Sequence, residues 1–239
     1  GAPLAHPSRR PLLDSIRAAF SPARVLSYDR ARDSLFLRLY LGEDDSLRCV
    51  YTGRAVRLDR AQDPTKFAWN TPRRFTTEHA WPQSRGAGRG SAARSDLHHL
   101  FPAVLQANAR RGALPFAEVP DEAVSLWLGP SASRRAVPSD GVEAYSELWL
   151  GHAFEPREEV KGDMARALFC VAAIYGARVD AAWFIPQVPV LLQWHEADPP
   201  SATERARTQQ VARWQGSPNP FVLRPSLARR AFGVAPLLP

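Results

Sequence analysis

Residues 73–112 constrain the fold of this chain most. Residues 73–81 read as a strand, halted where Pro82 removes the next ladder donor. Residues 85–95 form a Gly, Arg and Ser stretch carrying Arg85, Arg89 and Arg94, too polar to bury and suited to a mobile loop. A second apolar strand is expected over residues 97–101, ending at Pro102, and residues 104–111 continue as a helix that Gly112 closes. The order is strand, basic loop, strand, helix.

The flanking segments supply the helices and strands around it. Leu12, Leu13, Ile16, Ala19 and Phe20 fall at helical spacing, and residues 28–36 continue as a second short helix. Leu37, Leu39 and Leu41 alternate with Arg38 and Tyr40, which predicts a hairpin returning over residues 47–52. Residues 54–72 read as irregular. The second half predicts a strand near residues 123–128, a long helix over 158–175 and another over 188–196. A last helix opens at Ser201 with Glu204 three residues on, a capping box, and stops near Gly216. The expected class is therefore α+β, mixed helices and short antiparallel strands in a single domain, with residues 1–10 a flexible N-terminal segment.

Charge narrows the partners. Lys and Arg number 31 against 24 Asp and Glu, a formal charge of +7, and only Lys66 and Lys161 are lysines. Arginine's planar fork matches phosphate oxygens two at a time, so a polyanion, nucleic acid first, is the expected partner; a GC-rich coding bias is the plainer source of the arginines. No apolar run approaches the ~18 residues a membrane-spanning helix needs. Cys49 and Cys170 have no metal-binding spacing and read as two buried thiols, one on a strand and one on a helix, the alternative being a single bridge.

Glu78 and His79 stand side by side at the end of the first strand, and Asn108 lies on the helix after the second. A carboxylate and an amide oxygen are hard ligands, too few and too oxygen-rich for zinc but suited to a Mg²⁺ that keeps several waters and completes its shell with substrate phosphate. An imidazole beside that ion, with an unperturbed pKa of ~6.5, can deprotonate water near neutrality. The plainer meaning of a Glu-His pair is a surface carboxylate next to a structural histidine.

Longer strings weigh against the plainer meaning. Thr77-Glu78-His79-Ala80-Trp81-Pro82-Gln83-Ser84, then Ser95-Asp96-Leu97-His98-His99-Leu100-Phe101-Pro102, then Asn108-Ala109-Arg110-Arg111-Gly112 resemble the endonuclease I family of bacterial secreted and periplasmic nucleases, which have a ββα-metal (His-Me finger) active site. The likeness extends to Tyr28-Asp29-Arg30-Ala31-Arg32, Val50-Tyr51-Thr52-Gly53, Lys161-Gly162-Asp163-Met164-Ala165-Arg166, Trp194-His195-Glu196-Ala197-Asp198-Pro199-Pro200-Ser201 and Gln215-Gly216-Ser217-Pro218-Asn219-Pro220-Phe221.

The resemblance implies a ββα-metal core near residues 73–112, His79 as general base, and Glu78 and Asn108 as ligands of Mg²⁺, with Mn²⁺ able to substitute and Ca²⁺ able to bind without turnover. It implies an arginine steadying the phosphate: Arg94, Arg85 or Arg89 in the loop, with Arg111 the other candidate. It further implies a monomeric, secreted or periplasmic endonuclease, its leader removed, that cuts DNA and RNA without sequence preference and leaves 5′-phosphate ends. The near absence of cysteines departs from the disulfide-bearing branch of the family.

Other residues receive plainer expectations. His98 and His99, alternating on a strand, face opposite ways, one buttressing the site. His195 and Glu196 are structural, and Trp81 and Trp149 belong to the core. Asp96 is the substitute ligand should Glu78 or Asn108 fail. Two rival readings are a nucleic-acid-binding protein without turnover and a zinc hydrolase built on His79, His98 and His99.

Overall fold

The computed structural model describes residues 7–233. In chain order its elements are α1 (Arg10–Phe20), α2 (Tyr28–Ser34), β1 (Ser46–Arg48), β2 (Ala55–Arg57), α3 (Pro64–Asn70), β3 (Phe75–His79), β4 (Leu100–Val104), α4 (Leu105–Arg111), β5 (Leu126–Leu128), β6 (Ser133–Arg134), β7 (Ser146–Trp149), β8 (Ala153–Glu155), α5 (Lys161–Tyr175), α6 (Ala181–Phe184), α7 (Val188–Ala197), α8 (Ala202–Gln215), α9 (Pro220–Leu223) and α10 (Leu227–Phe232). The strands form three antiparallel sheets, β1-β2, β3-β4 and β6-β5-β7-β8. The class is α+β, as expected. Of the expected flexible N-terminal segment, residues 1–6 lie outside the described residues, while Pro7–Arg9 make a 3-10 turn that leads into α1.

The core is built around α5, whose residues other than Asp163 are buried. It packs against α1, α7, α9 and the turn Leu97–His99. Phe169 on α5 meets Phe184, Phe221 and Phe232 at ring-centroid distances of 6.3, 5.8 and 5.0 Å. Burying each such ring contributes ~1.5–3 kcal/mol. Gly162 is required where α5 begins, because a Cβ there would stand 2.1 Å from the Asp198 carbonyl. Cys49 and Cys170 are free and buried, as expected of two thiols.

Several expectations about local structure are corrected. The hairpin at residues 37–52 is reduced to one antiparallel bridge, Leu41 opposite Leu47: α2 runs on into a π-helical turn, Leu35–Leu39, closed by the Tyr40 N–H to the Leu35 carbonyl at 3.1 Å. Ala31, Leu35 and Phe36 bury their side chains there, so helical packing outweighs the two-residue alternation; β1 pairs with β2 instead, inside the stretch read as irregular, which also holds α3. The second strand of the central pair begins at Leu100 and runs through Pro102. The Pro102 carbonyl accepts from the Val50 N–H at 2.8 Å, on the side away from β3, so the missing proline donor breaks no β3-β4 bond.

His98 and His99 therefore sit in the 3-10 turn Leu97–His99, which Asp96 caps by accepting from the His98 N–H at 3.0 Å. The arginine loop is anchored rather than loose. Ala87 and Ala93 are fully buried, and Gly86, at φ +105°, approaches so near the Arg178 carbonyl that a Cβ would stand 2.7 Å from it. Finally, α8 is followed by α9 and α10, and its capping box is half formed: Ser201 Oγ accepts from the Glu204 N–H at 3.1 Å, while the Glu204 carboxylate is taken by Arg166. Trp81 is core, but Trp149 is half-buried and stacks on His152.

Candidate active site

β3 and β4 pair with Phe75 opposite Val104 and His79 opposite Leu100, and α4 leaves β4 directly, so Asn108 returns beside the strand that carries Glu78 and His79. Asn108 Nδ2 donates to the Thr77 carbonyl at 3.1 Å, which fixes the amide's orientation and leaves Oδ1 without a protein partner. Glu78 is buried, and its Oε1 accepts from the Tyr51 hydroxyl at 2.8 Å and from Arg111 at 2.9 Å. Its Oε2 has no hydrogen bond and is not among the fully buried unpaired atoms. His79 is buried too, and its Nε2 lies 2.9 Å from the Arg94 carbonyl; since a carbonyl only accepts, the proton is on Nε2 and Nδ1 keeps a free lone pair. Each of the three side chains is thus fixed by one polar atom and offers another.

Burial sets the protonation states. It pushes the Glu78 carboxyl up to about 7, against the pull of Arg111 and the Tyr51 hydroxyl. It pushes His79 down to about 3, aided by His99, Arg94 and Arg111, so the imidazole is neutral at physiological pH. His99 meets the His79 ring edge-on at 5.5 Å and hydrogen-bonds the Ala93 carbonyl, while His98 bonds the Ser217 carbonyl at 2.9 Å. The Nε2 atoms of His79, His98 and His99 thus sit on three different carbonyls, and among the described residues no group of three His, Cys, Asp or Glu side chains converges on a metal position. What the three side chains leave open for a cation are two hard oxygens, Glu78 Oε2 and Asn108 Oδ1, donors of the kind that suits Mg²⁺ better than zinc.

The arginines separate. Arg85 pairs with Asp180 at 3.0 Å, and Arg89 is exposed. Arg94 lies 4.1 Å over the Tyr28 ring, which itself stacks on His79 at 5.7 Å. Arg32 approaches the same ring at 5.5 Å. Both arginines carry a buried Nε without a partner, and neither has a carboxylate among the described residues. Arg111 departs from its expected role at the phosphate. It has no exposed surface, and its two Nη atoms are engaged by Glu78, the His79 carbonyl at 2.9 Å and the Ala80 carbonyl at 2.6 Å, so it positions the end of β3. Asp96 is likewise committed, accepting from Tyr175 and Gln215 at 2.9 Å each, and is no substitute ligand. His195 bonds the Pro225 carbonyl and Glu196 pairs with Arg229, both structural.

Reasoning from sequence gave no role to Tyr28, Arg32 or Tyr51. Their signal was membership of the Tyr28-to-Arg32 and Val50-to-Gly53 strings.

Comparison with known proteins covers the same region. Residues 30–226 match the family Endonuclease I. The extracellular ribonuclease of Bacillus amyloliquefaciens is 30% identical over 169 residues, covering 64% of this chain and 52% of the relative. That of Bacillus subtilis (strain 168) gives the same identity and coverage. The chain spans about half the length of these curated relatives. With the family match running from within α2 past α9 and through Glu78, His79, Arg94, Asn108 and Arg111, the chain belongs to the Endonuclease I family.

Proposed function

We propose that the chain is a Mg²⁺-dependent endonuclease that hydrolyses phosphodiester bonds of DNA and RNA without sequence preference, as one nuclease domain. The observation that carries this reading is the set of three uncommitted atoms, Glu78 Oε2, Asn108 Oδ1 and His79 Nδ1, held by three fixed ones. Glu78 and Asn108 would hold the ion, which when bound supplies positive charge against the phosphate and the departing oxygen.

His79 Nδ1 takes a proton from a water whose oxygen attacks phosphorus; the bond from phosphorus to the 3′ oxygen breaks, that oxygen takes up a proton from solvent, and the ends are 5′-phosphate and 3′-hydroxyl. The hydrogen bond to the Arg94 carbonyl keeps the ring in the tautomer this step needs, and favours the imidazolium that follows. Arg94 and Arg32, two like charges held on one tyrosine ring without a counter-ion, orient the phosphate. Non-specificity follows from a site that offers arginines to phosphates and no base-reading element. Secretion belongs to the same reading, supported by the relatives' name of extracellular ribonuclease. Among the described residues no helix is long and apolar enough to cross a membrane.

Digestion of plasmid DNA and of RNA with Mg²⁺, Mn²⁺, Ca²⁺ or EDTA, followed by labelling of the 5′ ends, tests it. Cleavage with Mg²⁺, none with EDTA, and 5′ ends that accept label only after phosphatase are expected. Binding without cleavage in every metal would favour the rival reading of a binding protein without turnover.

A further inference from the structure

A cleft of about 640 Å³ opens between the segment before α2, the outer face of α2 and the C-terminal end of α8. Arg24, Arg30, Arg38 and Arg213 line it, with one acid, Asp33, and one aromatic ring, Trp214. Asp33 accepts from the Thr65 hydroxyl at 2.8 Å. Arg30 and Asp33 fall on the side of α2 opposite Tyr28 and Arg32, so the cleft is set off from His79 by about one helix diameter, ~10 Å.

None of the cleft's four arginines meets a carboxylate among the described residues, unlike several others of the molecule. Arg85, Arg157, Arg166, Arg207 and Arg229 each meet a carboxylate. Arg30 and Arg38 are exposed, and their guanidiniums meet no acceptor among the described residues. Arg213 reaches only the Gln210 amide, at 3.2 Å. Arg24 donates to the Trp214 and Arg213 carbonyls at 2.9 and 2.7 Å. In doing so it covers the negative end of α8, which would otherwise repel an anion here. A concave site with four positive charges, one engaged acid and one half-buried indole matches a polyphosphate strand with unpaired bases, because an aromatic face is open to a base only when that base is out of a duplex.

We propose that this cleft is a second nucleic-acid subsite, which holds the phosphates of a single-stranded stretch of substrate outside the cleavage centre and stacks one base on Trp214. Its place in catalysis rests on the nuclease reading; its binding does not. Fluorescein-labelled 15-mers of uridylate and of thymidylate, titrated with the full chain in EDTA across a range of salt, read binding alone.

The double variant Arg30→Ala/Arg38→Ala removes two exposed, unpartnered side chains, and a thermal melt checks that it stays folded. It is expected to bind at least tenfold more weakly and to lower the salt slope by ~1.4, about 0.7 for each phosphate no longer neutralised. Trp214→Phe is expected to keep most of the affinity and Trp214→Ala to lose about tenfold, whereas Arg229→Ala, remote and paired with Glu196, should bind as wild type. In Mg²⁺ the double variant should raise KM on the long strand with kcat little changed.

Wild-type affinity and slope in the double variant overturn the subsite. So does tight binding of a labelled 15-base-pair DNA duplex, titrated in the same way, that depends on the arginines but not on Trp214. If the cleft binds and no metal supports cleavage, the nuclease reading falls and the subsite stands. If the chain cleaves and the double variant binds normally, the reverse holds.

Discussion

Two of the buried polar networks among the described residues are finished differently. Under α5, Arg166 uses Nε on Glu204, Nη1 on the Asp198 carbonyl and Nη2 on Asp163, whose other oxygen meets Arg207 at 2.6 Å. At the end of β3, Glu78, His79 and Asn108 are each held by one atom while another is left open. A buried group without partners costs free energy that folding does not recover, so open atoms persist where something else will engage them. The first network is an end in itself; the second is a fixed frame around unfilled positions. Arg111 joins the two kinds, being fully buried like Arg166 yet bonded to a residue of the open site.

Loss of an open atom should remove chemistry and leave the fold. His79→Ala is expected to lower the cleavage rate 10²- to 10⁴-fold, about 3–5 kcal/mol of barrier, with DNA affinity in EDTA little changed. Near-normal turnover, or binding and folding lost together, would make His79 a structural histidine. Loss of a saturated partner should do the opposite. Arg166→Ala strands the Glu204 and Asp163 carboxylates and should destabilise the fold by ~3–5 kcal/mol, roughly 10 °C in Tm for a chain this size, without changing the Mg²⁺ requirement of whatever remains folded. Arg111→Ala should show both effects, since it strands Glu78 and frees the ligand. A thermal melt combined with a Mg²⁺ titration of activity separates the three variants, and identical profiles for Arg111→Ala and Arg166→Ala would erase the distinction between the networks.

Much of the site was legible in the sequence because its parts are local. Glu78 and His79 are adjacent, and Asn108 is placed by a strand that runs straight into a helix closed at Gly112, where φ is +52°. What holds those residues was not legible. Tyr51 reaches Glu78 across 27 positions and Arg111 across 33, and a hydrophobic period tells which face a residue occupies but not whom it meets there. Arg111 could therefore be placed near the site yet not assigned to Glu78 rather than to phosphate. The hairpin expected at residues 37–52 survives only as the Leu41–Leu47 bridge for a related reason: Leu37, Leu39 and Leu41 satisfy a period of two, but burial of Ala31, Leu35 and Phe36 through a continued helix is decided by the core they enter.

Among the open atoms the two ligands should have the next largest effect. Glu78→Gln keeps the shape and removes the charge, and Asn108→Ala removes an oxygen; both are expected to raise the Mg²⁺ concentration for half-maximal activity and to lower the maximum rate. Unchanged metal dependence in either variant would take that residue out of the ligand set. The saturated side offers the smallest and most specific effect, at His195. Its Nε2 bonds the Pro225 carbonyl at 2.9 Å, its ring meets Phe169 edge-on, and burial lowers its pKa below the usual imidazole value. The folded chain then keeps this ring neutral where the unfolded chain, with a pKa of ~6.5, takes up a proton, so the stability it contributes is full above pH ~6.5 and is lost as pH falls toward the folded value. Urea unfolding of wild type and His195→Asn from pH 7 to pH 5 isolates that proton, because every other titrating group is common to both chains. The variant should be less stable at pH 7 and should lose stability more slowly on acidification, by up to about 1.4 kcal/mol per pH unit. Parallel acid limbs would mean that His195 is protonated in the folded chain, and that a carbonyl partner alone does not mark a histidine as structural.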